Sequence, residues 1–268
     1  MELDRCTEAI FFVLARNKEK FDDIVSTHSF ANEVRFIACN LDSFDSIESA
    51  VEEIGNQAKG IDLLINNAGH WSSDEISFSK DGIESTVAVN HLAPYLLTGY
   101  LLPLLCKSDS PGIVNTASFR HKDASVETSD IELKNNFDAE LAYCNSKLYS
   151  VLFTKKLADL LEGTGVTVNC FDPGIVDTPM LKQAFPASLS FLYPLFRKFI
   201  ARSPEKGAET GVYLSTGLPA ENRLTGQYFK DKKPRSISVT AQDKDLGEWL
   251  WNESVKLTGF DYTNVLAS

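Results

Sequence analysis

Short apolar runs alternate along the chain with stretches in which apolar residues recur at helical spacing. The runs are rich in β-branched residues or phenylalanine, and such runs are typical of strands buried on both faces of a parallel sheet. Five of them predict five strands: IFFVLA (10–15), VRFIAC (34–39), IDLLIN (61–66), GIVNTAS (112–118) and VTVNCF (166–171).

Helical segments are predicted between and after these strands, at 17–27, 43–58, 80–106, 139–162 and 204–216. Asp42 or Ser43 would cap the second helix, and Gly163 would end the fourth. Regular alternation of strands and helices implies right-handed crossovers and a doubly wound parallel sheet, that is, an α/β Rossmann-like fold. Beyond 218 the pattern weakens, although GQYF (226–229) predicts a last edge strand and 245–257 predicts a closing amphipathic helix.

The composition narrows the class of protein. With 268 residues, 43% of them hydrophobic, the chain suits a single domain with a sizeable core. The net charge of −11 argues against a nucleic-acid partner, because phosphate binding needs clustered Lys and Arg. The same charge gives no support for attraction to anionic lipid.

The cysteines and the longest apolar runs indicate the cellular compartment of the protein. Cys6, Cys39, Cys106, Cys144 and Cys170 have neither CxxC nor Cys/His metal spacing, so we interpret them as reduced thiols in a cytoplasmic protein. The run IFFVLA is too short for a membrane span or a signal peptide. The run at 189–200 contains Pro194, Arg197 and Lys198, which favours a lid helix or an interfacial helix over a span.

Tyr143 and Lys147 lie four residues apart in LAYCNSKLYS (141–150). On a helix such residues share a face, about 5–6 Å apart at Cβ. An ammonium at that distance favours the tyrosinate, so we expect the pKa of Tyr143 to fall below its usual value of about 10. The phenol would then serve as an acid or base. The spacing alone also occurs by chance on ordinary helices.

Further polar residues follow the predicted strands or lie on the intervening helix. The motifs are LLINNAGHW with Asn66, Asn67, Ala68 and Gly69, VAVNHLAPYLLT with Asn90, VNTASF with Ser118, and FDPGIVDTP with Pro173, Gly174 and Thr178. Ligands of a doubly wound sheet bind outside the carboxyl ends of its strands. Taken singly, these residues could be turns, a strand-end cap or a satisfied helix amide. Their order along the chain favours one shared site.

This ordered set resembles the short-chain dehydrogenase/reductase family, and NHLAPYLLT, AYCNSKL and LEGTGVTVNCFDPGIV are most similar to its retinol dehydrogenase-like branch. The resemblance runs from about residue 10 to 258. It implies that Tyr143 is the general acid/base and that Lys147 lowers its pKa and holds the nicotinamide ribose. It also implies that Ser118 binds the substrate oxygen and that Asn90 orients a water in a proton relay.

A cofactor site is implied by the same resemblance. Its floor would be Asn67, Ala68 and Gly69, its adenine contact Asp42, and its nicotinamide flank Pro173, Gly174, Val176 and Thr178. The strand IFFVLA ends without an acid at Ala15, and Arg16 follows, which favours NADP over NAD because an arginine there accommodates the 2′-phosphate. Arg16 could instead be a solvated residue at a helix start, and Asp42 only a cap. His70, His91 and His121 have no metal-ligand spacing, and no metal site is predicted.

The sequence departs from the family at its N-terminus. The first forty residues contain no glycine, whereas the family's first strand is followed by a glycine-rich loop that binds the pyrophosphate. We therefore expect the first strand, that loop and most of the first helix to be absent, roughly 30 residues, with MELDRCTEA (1–9) as the tail of that helix. The sheet would then either close over the missing strand or leave a gap.

Two functions follow from these observations. One is an NADP(H)-dependent oxidoreductase that acts on a lipophilic alcohol or carbonyl, such as a retinoid or steroid, under a substrate lid at 185–220. The other is a weakly active or inactive scaffold or regulatory protein with an incomplete cofactor site. Peripheral membrane contact through 185–200 and homo-oligomer formation are left open.

Overall fold

A computed structural model of the chain describes residues 8–72, 75–185, 187–216 and 224–266. Cys6 and most of the segment MELDRCTEA lie outside these residues, as do residues 186 and 217–220 of the predicted lid. No helix among the described residues is both long and apolar enough to cross a membrane. The four described cysteines are free thiols.

The strands form two sheets. In the first, β1 (Ile10–Ala15) pairs in parallel with β2 (Glu33–Ala38). The second has the order β3-β4-β5-β6-β7 and is parallel except for its last pair. Its strands are β3 (Leu63–Asn66), β4 (Gly112–Thr116), β5 (Thr167–Asp172), β6 (Tyr228–Lys230) and β7 (Lys233–Pro234). The α/β Rossmann-like fold is thus confirmed. The prediction that GQYF is the edge strand is wrong, because β7 pairs with β6 and takes the edge.

A break separates the two sheets. Among the described residues β1 pairs only with β2, and β3 pairs only with β4, so the gap is the arrangement that the molecule adopts. The expectation that every strand is buried on both faces is wrong for β1, none of whose residues is buried. Ile10 and Val13 are 49% and 37% exposed. Because β1 has an open edge, its apolar sequence is not matched by burial.

Helices connect and cover the strands. They are α1 (Lys18–Thr27), α2 (Phe44–Gln57), α3 (Ser85–Val87), α4 (Ala93–Leu105), α5 (Ala139–Leu160), α6 (Pro179–Ala184), α7 (Tyr193–Phe199), α8 (Pro204–Thr216), α9 (Lys244–Thr258) and α10 (Thr263–Leu266). A π-helical segment, Ala88–Leu92, joins α3 to α4. Short 3₁₀ turns occupy Phe119–Asp123, Ala187–Leu192 and Thr240–Gln242.

The helix ends follow from their caps. Ser43, and not Asp42, caps α2 by accepting from the backbone N–H of Ser46. The helix predicted from residue 80 begins at Ser85, because the Glu84 carboxylate accepts from the N–H groups of Thr86 and Val87. The helix α5 begins after Asp138, whose carboxylate accepts from the N–H of Leu141.

The core positions the long helix α5 against the sheet. One cluster of buried apolar residues joins α2, α4 and the first half of the second sheet, and includes Ile54, Leu96, Ile113 and Leu157. Fully burying one such side chain stabilises the fold by about 1.5–3 kcal/mol. This packing fixes α5 across β4 and β5, and so sets where its N-terminal turns lie relative to the strand ends.

Candidate active site

Tyr143 and Lys147 lie in the first two turns of α5, beside the carboxyl end of β4. The Nζ atom of Lys147 donates to the carbonyl oxygen of Thr116 at 3.1 Å and lies 5.5 Å from the centre of the Tyr143 ring. Lys147 is only 4% exposed, whereas Tyr143 is partly exposed. The predicted helical pair is therefore a real contact, with the ammonium under the phenol ring and with donor capacity left over for a ligand.

The protonation of the pair differs from the expectation drawn from its spacing. Burial raises the pKa of Tyr143 to about 12, and a side-chain hydrogen bond with Ser118 opposes that rise. Burial lowers the pKa of Lys147 to about 8, because the ammonium loses its hydration. The expectation that the pKa of Tyr143 falls below 10 is wrong for this arrangement, in which desolvation outweighs the hydrogen bond with Ser118.

Ser118 is held at the end of β4 by two neighbours. It caps the 3₁₀ turn Phe119–Asp123 by accepting from the N–H of Arg120 at 3.2 Å. The imidazole of the buried His121 contacts the Ser118 carbonyl oxygen through Nδ1 at 2.7 Å. Since Nε2 of His121 accepts from the N–H of Ser238 at 3.2 Å, Nδ1 carries the proton and donates. The serine is thus fixed beside Tyr143, as predicted from its place in the sequence.

Asn90 anchors the loop that follows β3. Its Oδ1 accepts from the N–H of His70 at 2.6 Å, and its Nδ2 donates to the His70 carbonyl at 2.9 Å and to Oγ of Ser146 at 3.0 Å. Asn90 lies in the π-helical segment, an irregularity that often marks functional sites. Its side chain holds the loop against α5, while the water-orienting role stays a prediction.

The loop residues Asn67, Ala68 and Gly69 are exposed at this edge. A Cβ atom at position 69 would lie 3.3 Å from Cε of Met180, 3.8 Å from Nζ of Lys147 and 3.9 Å from Oδ1 of Asn90. A side chain at position 69 would press on Met180, so glycine allows the close approach of this loop to Met180 and Lys147. Asn66 points inward instead, and donates to Thr98 and Asn115 in a buried network that supports the sheet.

Trp71 covers Tyr143. The two ring centres are 4.4 Å apart with planes inclined by 35°. The Trp71 carbonyl accepts from Nε2 of Gln183 in α6 at 3.3 Å. The loop after β3 and the helix α6 therefore meet over the phenol and form one wall of the site.

The turn after β5 also borders the site, since Asp172 is near enough to act on Tyr143. Asp172 is buried, pairs with Nζ of Lys230 at 2.8 Å and accepts from the N–H of Gly174 at 2.8 Å. Gly174 has a φ of +79°, and a Cβ atom there would lie 2.9 Å from Nε of Arg202. The chain then passes Pro173, Gly174 and Val176 to Thr178, which caps α6 by accepting from the N–H of Leu181. This segment leads directly to Met180 beside Gly69.

Arg16 and Asp42 lie farther along the same edge. Arg16 is exposed one residue beyond β1, and Asp42 is partly buried in the turn before α2. Both are near enough to act on His70: its pKa is lowered mainly by burial and also by Arg16, while the carboxylates of Glu84 and Asp42 oppose the change. The charges of Arg16 and Asp42 thus act on His70, in the loop after β3 that also contacts Asn90.

The residues present fit one end of a nicotinamide dinucleotide. Lys147 has spare donors near Gly69 that could hold a ribose, and Tyr143 and Ser118 lie next to it. Such a group, when bound, supplies or accepts a hydride. The described residues show no glycine-rich loop at a helix N-terminus for a pyrophosphate.

Sequence reasoning missed three contributors. Trp71 follows NNAGH directly and has no motif of its own, so only its contact with Tyr143 identifies it. His121 has no metal-ligand spacing, and the only sequence signal for its contact is its position three residues after Ser118. Asp172 precedes Pro173, and its pairing with Lys230 depends on the neighbouring strand, which no local pattern reveals.

Comparison with known proteins is consistent with these observations. A family model described as short chain dehydrogenase matches residues 6–188. Human retinol dehydrogenase 12 (Homo sapiens) is 35% identical over 248 residues, which cover 88% of this chain and 76% of that protein. Retinol dehydrogenase 13 of Homo sapiens is 33% identical over 236 residues, 84% of this chain and 69% of that protein.

Solved structures are similar at identities that show the fold alone. The crystal structure of an uncharacterized protein from Mycobacterium paratuberculosis has a TM-score of 0.71 at 24% identity, and covers 94% of this chain and 84% of its own. The Pseudomonas aeruginosa RhlG/NADP active-site complex has a TM-score of 0.63 at 23% identity, covering 81% and 83%. By the family match and these relatives, the chain belongs to the short-chain dehydrogenase/reductase family of oxidoreductases, in its retinol dehydrogenase-like branch.

Proposed function

We propose that the chain is an NADP(H)-dependent oxidoreductase that acts on a lipophilic alcohol or carbonyl, such as a retinoid or steroid, with Tyr143 as its acid/base. The convergence of Tyr143, Ser118 and Lys147 at one strand edge carries the proposal. Ser118 holds the substrate oxygen against the phenol. In reduction Tyr143 donates its proton to that oxygen, and in oxidation its tyrosinate removes the hydroxyl proton.

The burial of Tyr143 and Lys147 bears on which direction of the reaction is favoured. Because the pKa of Tyr143 is raised to about 12, the phenol is protonated near neutral pH and is ready to donate. A protonated phenol favours carbonyl reduction over alcohol oxidation at pH 7. The cation of Lys147 becomes more effective as an ordered ligand excludes the remaining water.

NADP is preferred to NAD because of Arg16. It is exposed at the end of β1, with no acidic residue at Ala15 to hydrogen-bond a ribose 2′-hydroxyl. A guanidinium there binds a 2′-phosphate as a bidentate partner. The names of relatives add support: the Pseudomonas aeruginosa structure is an NADP complex.

Lipophilic substrates are supported by the segment 185–200. Phe185 packs against Tyr193 and Phe196, whereas Phe191 and Phe199 are 74% and 72% exposed. An ion pair between Arg197 and Asp177 ties this segment to the turn beside the site. The apolar surface suits a lid over an apolar substrate or a peripheral contact with the membrane that holds one. Relatives named retinol dehydrogenase point to the same substrate class.

Replacement of Tyr143 by Phe tests the catalytic proposal. Turnover of retinaldehyde with NADPH should fall by roughly 10²–10⁴-fold, because the variant lacks the proton donor. NADPH affinity should change little. Tyr100→Phe is the matched control, since it removes a tyrosine hydroxyl from α4 and should keep full activity. Equal activity of the Tyr143→Phe variant and the parent chain would refute the role of Tyr143.

Replacement of Arg16 by Ala tests the cofactor preference. We expect the Kd for NADPH to rise roughly tenfold, and the Kd for NADH to stay unchanged, because only NADPH carries the 2′-phosphate that the guanidinium binds. Titration followed by cofactor fluorescence gives both constants. Lys20→Ala removes a charge on α1 and serves as control. A parallel loss of affinity for both cofactors would exclude Arg16 as the determinant.

The second candidate function is a non-catalytic scaffold or regulator. It is favoured by the break between β1 and β3 and by the lack, among the described residues, of a pyrophosphate loop. No saturable binding up to millimolar NADPH would support it against the oxidoreductase. Turnover that disappears in Tyr143→Phe would exclude it. Single-domain organisation, the lid at 185–220 and homo-oligomer formation stay predictions.

A further inference from the structure

A buried imidazole joins the turn after β4 to a segment near the C-terminus. His121 lies in the 3₁₀ turn Phe119–Asp123 and is only 1% exposed. Its Nδ1 donates to the Ser118 carbonyl at 2.7 Å, and its Nε2 accepts from the backbone N–H of Ser238, 117 residues later in the chain, at 3.2 Å. Both ring nitrogens therefore have backbone partners, one on each segment.

At one end of this contact the imidazole controls the peptide group that follows Ser118. The Ser118 carbonyl accepts from Nδ1 of His121 and also from the backbone N–H of His121, at 3.2 Å. Two donors on one carbonyl fix the orientation of that peptide group, and with it the direction of the Ser118 side chain. The Ser118 hydroxyl is hydrogen-bonded to Tyr143. A rotation of the peptide group would therefore move the hydroxyl away from the phenol.

At the other end the imidazole meets a well-anchored backbone. The Oγ atom of Ser238 accepts from the N–H of Ala241 at 3.2 Å, and Ala241 is fully buried. Ala241 belongs to the apolar cluster that also contains Leu250 of α9, and Ile237 packs against the same cluster. The N–H of Ser238 is thus a fixed donor, and it sets the position of the ring from outside the active site.

The ring must be neutral to make both contacts. Burial lowers the pKa of His121 below its usual value of 6.5, although the hydrogen bond with the Ser118 carbonyl opposes that change. A neutral imidazole has one donor and one acceptor, which match the carbonyl of Ser118 and the N–H of Ser238. An imidazolium would turn a second donor towards the N–H of Ser238. The contact is therefore complete at neutral pH.

We propose that His121 is a positioning residue for the reaction, which holds the Ser118 hydroxyl at Tyr143 by bracing the Ser118 carbonyl against Ser238. The proposal rests on the proposed function, in which Ser118 binds the substrate oxygen. His121 acts through Ser118 and not on the reacting atoms. A misplacement of about 1 Å can cost about 10²-fold in rate, so loss of the brace lowers kcat more than it lowers cofactor affinity.

Replacement of His121 by Phe tests the brace by kinetics, since it keeps a ring and removes both hydrogen bonds. The kcat for retinaldehyde reduction should fall at least roughly tenfold, while the Kd for NADPH stays within about twofold. His121→Gln keeps an amide donor and an oxygen acceptor and should retain most of the kcat. His28→Phe makes the same change at an exposed histidine and is the control.

Two kinetic results would overturn the proposal. One is a folded His121→Phe variant with the kcat of the parent chain. The other is a loss of kcat matched by an equal loss of NADPH affinity, which would show general damage to the fold and no specific effect on Ser118.

A variant at the other end of the brace gives a second test. Ser238→Pro removes the N–H that Nε2 of His121 accepts from and leaves the imidazole in place. Its kcat should fall in the same way as that of His121→Phe. Ser238→Ala keeps the N–H and is the matched control. Equal kcat in the two Ser238 variants would exclude Ser238 as the anchor and overturn the proposal.

A spectroscopic readout needs neither cofactor nor turnover. The chain has eight tyrosines, and with ¹³C at each Cζ atom the Tyr143→Phe variant assigns the signal of Tyr143. In His121→Phe this signal should move to its position in Ser118→Ala, because in both variants the phenol lacks its hydrogen bond with Ser118. His121→Gln and His28→Phe should leave it in place.

This readout separates the brace from the proposed function. An unmoved Tyr143 signal in His121→Phe would refute the brace, whether or not the parent chain turns over retinaldehyde. A moved signal in a chain without turnover would support the brace and refute only the oxidoreductase proposal.

Discussion

At the scale of single residues, Lys147 is a buried cation. Its Nζ contacts the Thr116 carbonyl and the Tyr143 ring, and neither carries a charge. Burial lowers its pKa from 10.5 to about 8, a shift that corresponds to about 3 kcal/mol. The folded chain therefore tolerates a destabilising charge at the point where the proposed reaction needs one.

Removal of that charge should stabilise the fold. Below pH 8 both folded and unfolded chains hold the Lys147 proton, so the full cost of burying the ammonium is present. Between pH 8 and 10.5 the folded chain is neutral at this residue while the unfolded chain still binds the proton, so the cost is relieved as the pH rises. Lys147→Met should raise the free energy of unfolding by roughly 1–3 kcal/mol at pH 7. This range already allows for the hydrogen bond that Lys147 donates and the variant lacks.

Urea denaturation at pH 7 and at pH 10 measures this difference. The advantage of Lys147→Met over the parent should shrink at the higher pH. Lys156→Met, which removes a lysine from the surface side of α5, is the control and should show no such change between the two values. A variant that is less stable than the parent at pH 7 would show that the ammonium is better compensated than its contacts indicate.

The sequence largely predicts which residues form the site, but it does not predict the direction in which the pKa of Tyr143 shifts. Tyr143, Lys147 and Ser118 were found because a helical spacing and a strand end each place a side chain in a known direction. The direction of the tyrosine pKa depends on the solvent excluded by Trp71 and its neighbours, which lie far away in sequence. Only the packed structure reveals that desolvation raises the pKa of Tyr143.

At the scale of elements, the start of the helix that carries Asn90 depends on Glu84. This carboxylate is fully buried, caps α3 through two backbone N–H groups and accepts from Oγ of Ser72 at 3.0 Å. The backbone N–H of Glu84 in turn donates to the Glu132 carboxylate at 2.9 Å. One residue therefore ties the helix start to the loop after β3.

Glu84→Ala should lower the free energy of unfolding by about 1–3 kcal/mol, because it leaves buried N–H groups without an acceptor. Glu84→Gln keeps an amide oxygen at the cap and should lose less. Urea denaturation of both variants measures the difference, and equal losses would mean that the charge, and not the acceptor, matters. The sequence predicted this helix five residues too early, because the cap is set by a buried acid that resembles an ordinary polar residue in the sequence.

At the scale of the whole molecule, the two sheets differ in how deeply they are buried. The strand β1 and the helix α1 have no buried residue, and β2 has one, Ile37. In β5, five of six residues are buried, and in β4 three of five. The sequence predicted all of these strands from apolar runs of similar strength. It could not predict this contrast, because burial depends on which strands become neighbours.

The contrast predicts unequal local stability. Amides of β1 and β2 should exchange with solvent at least roughly tenfold faster than those of β4 and β5, because the first pair can open without exposing the main core. Hydrogen exchange measured by mass spectrometry on the intact chain resolves the four strands, and β5 serves as the internal reference. Low concentrations of urea should accelerate exchange in β5, whose amides open only with the whole core, and leave that in β1 nearly unchanged. If all four strands exchanged at one rate, the first sheet would be as firmly held as the second.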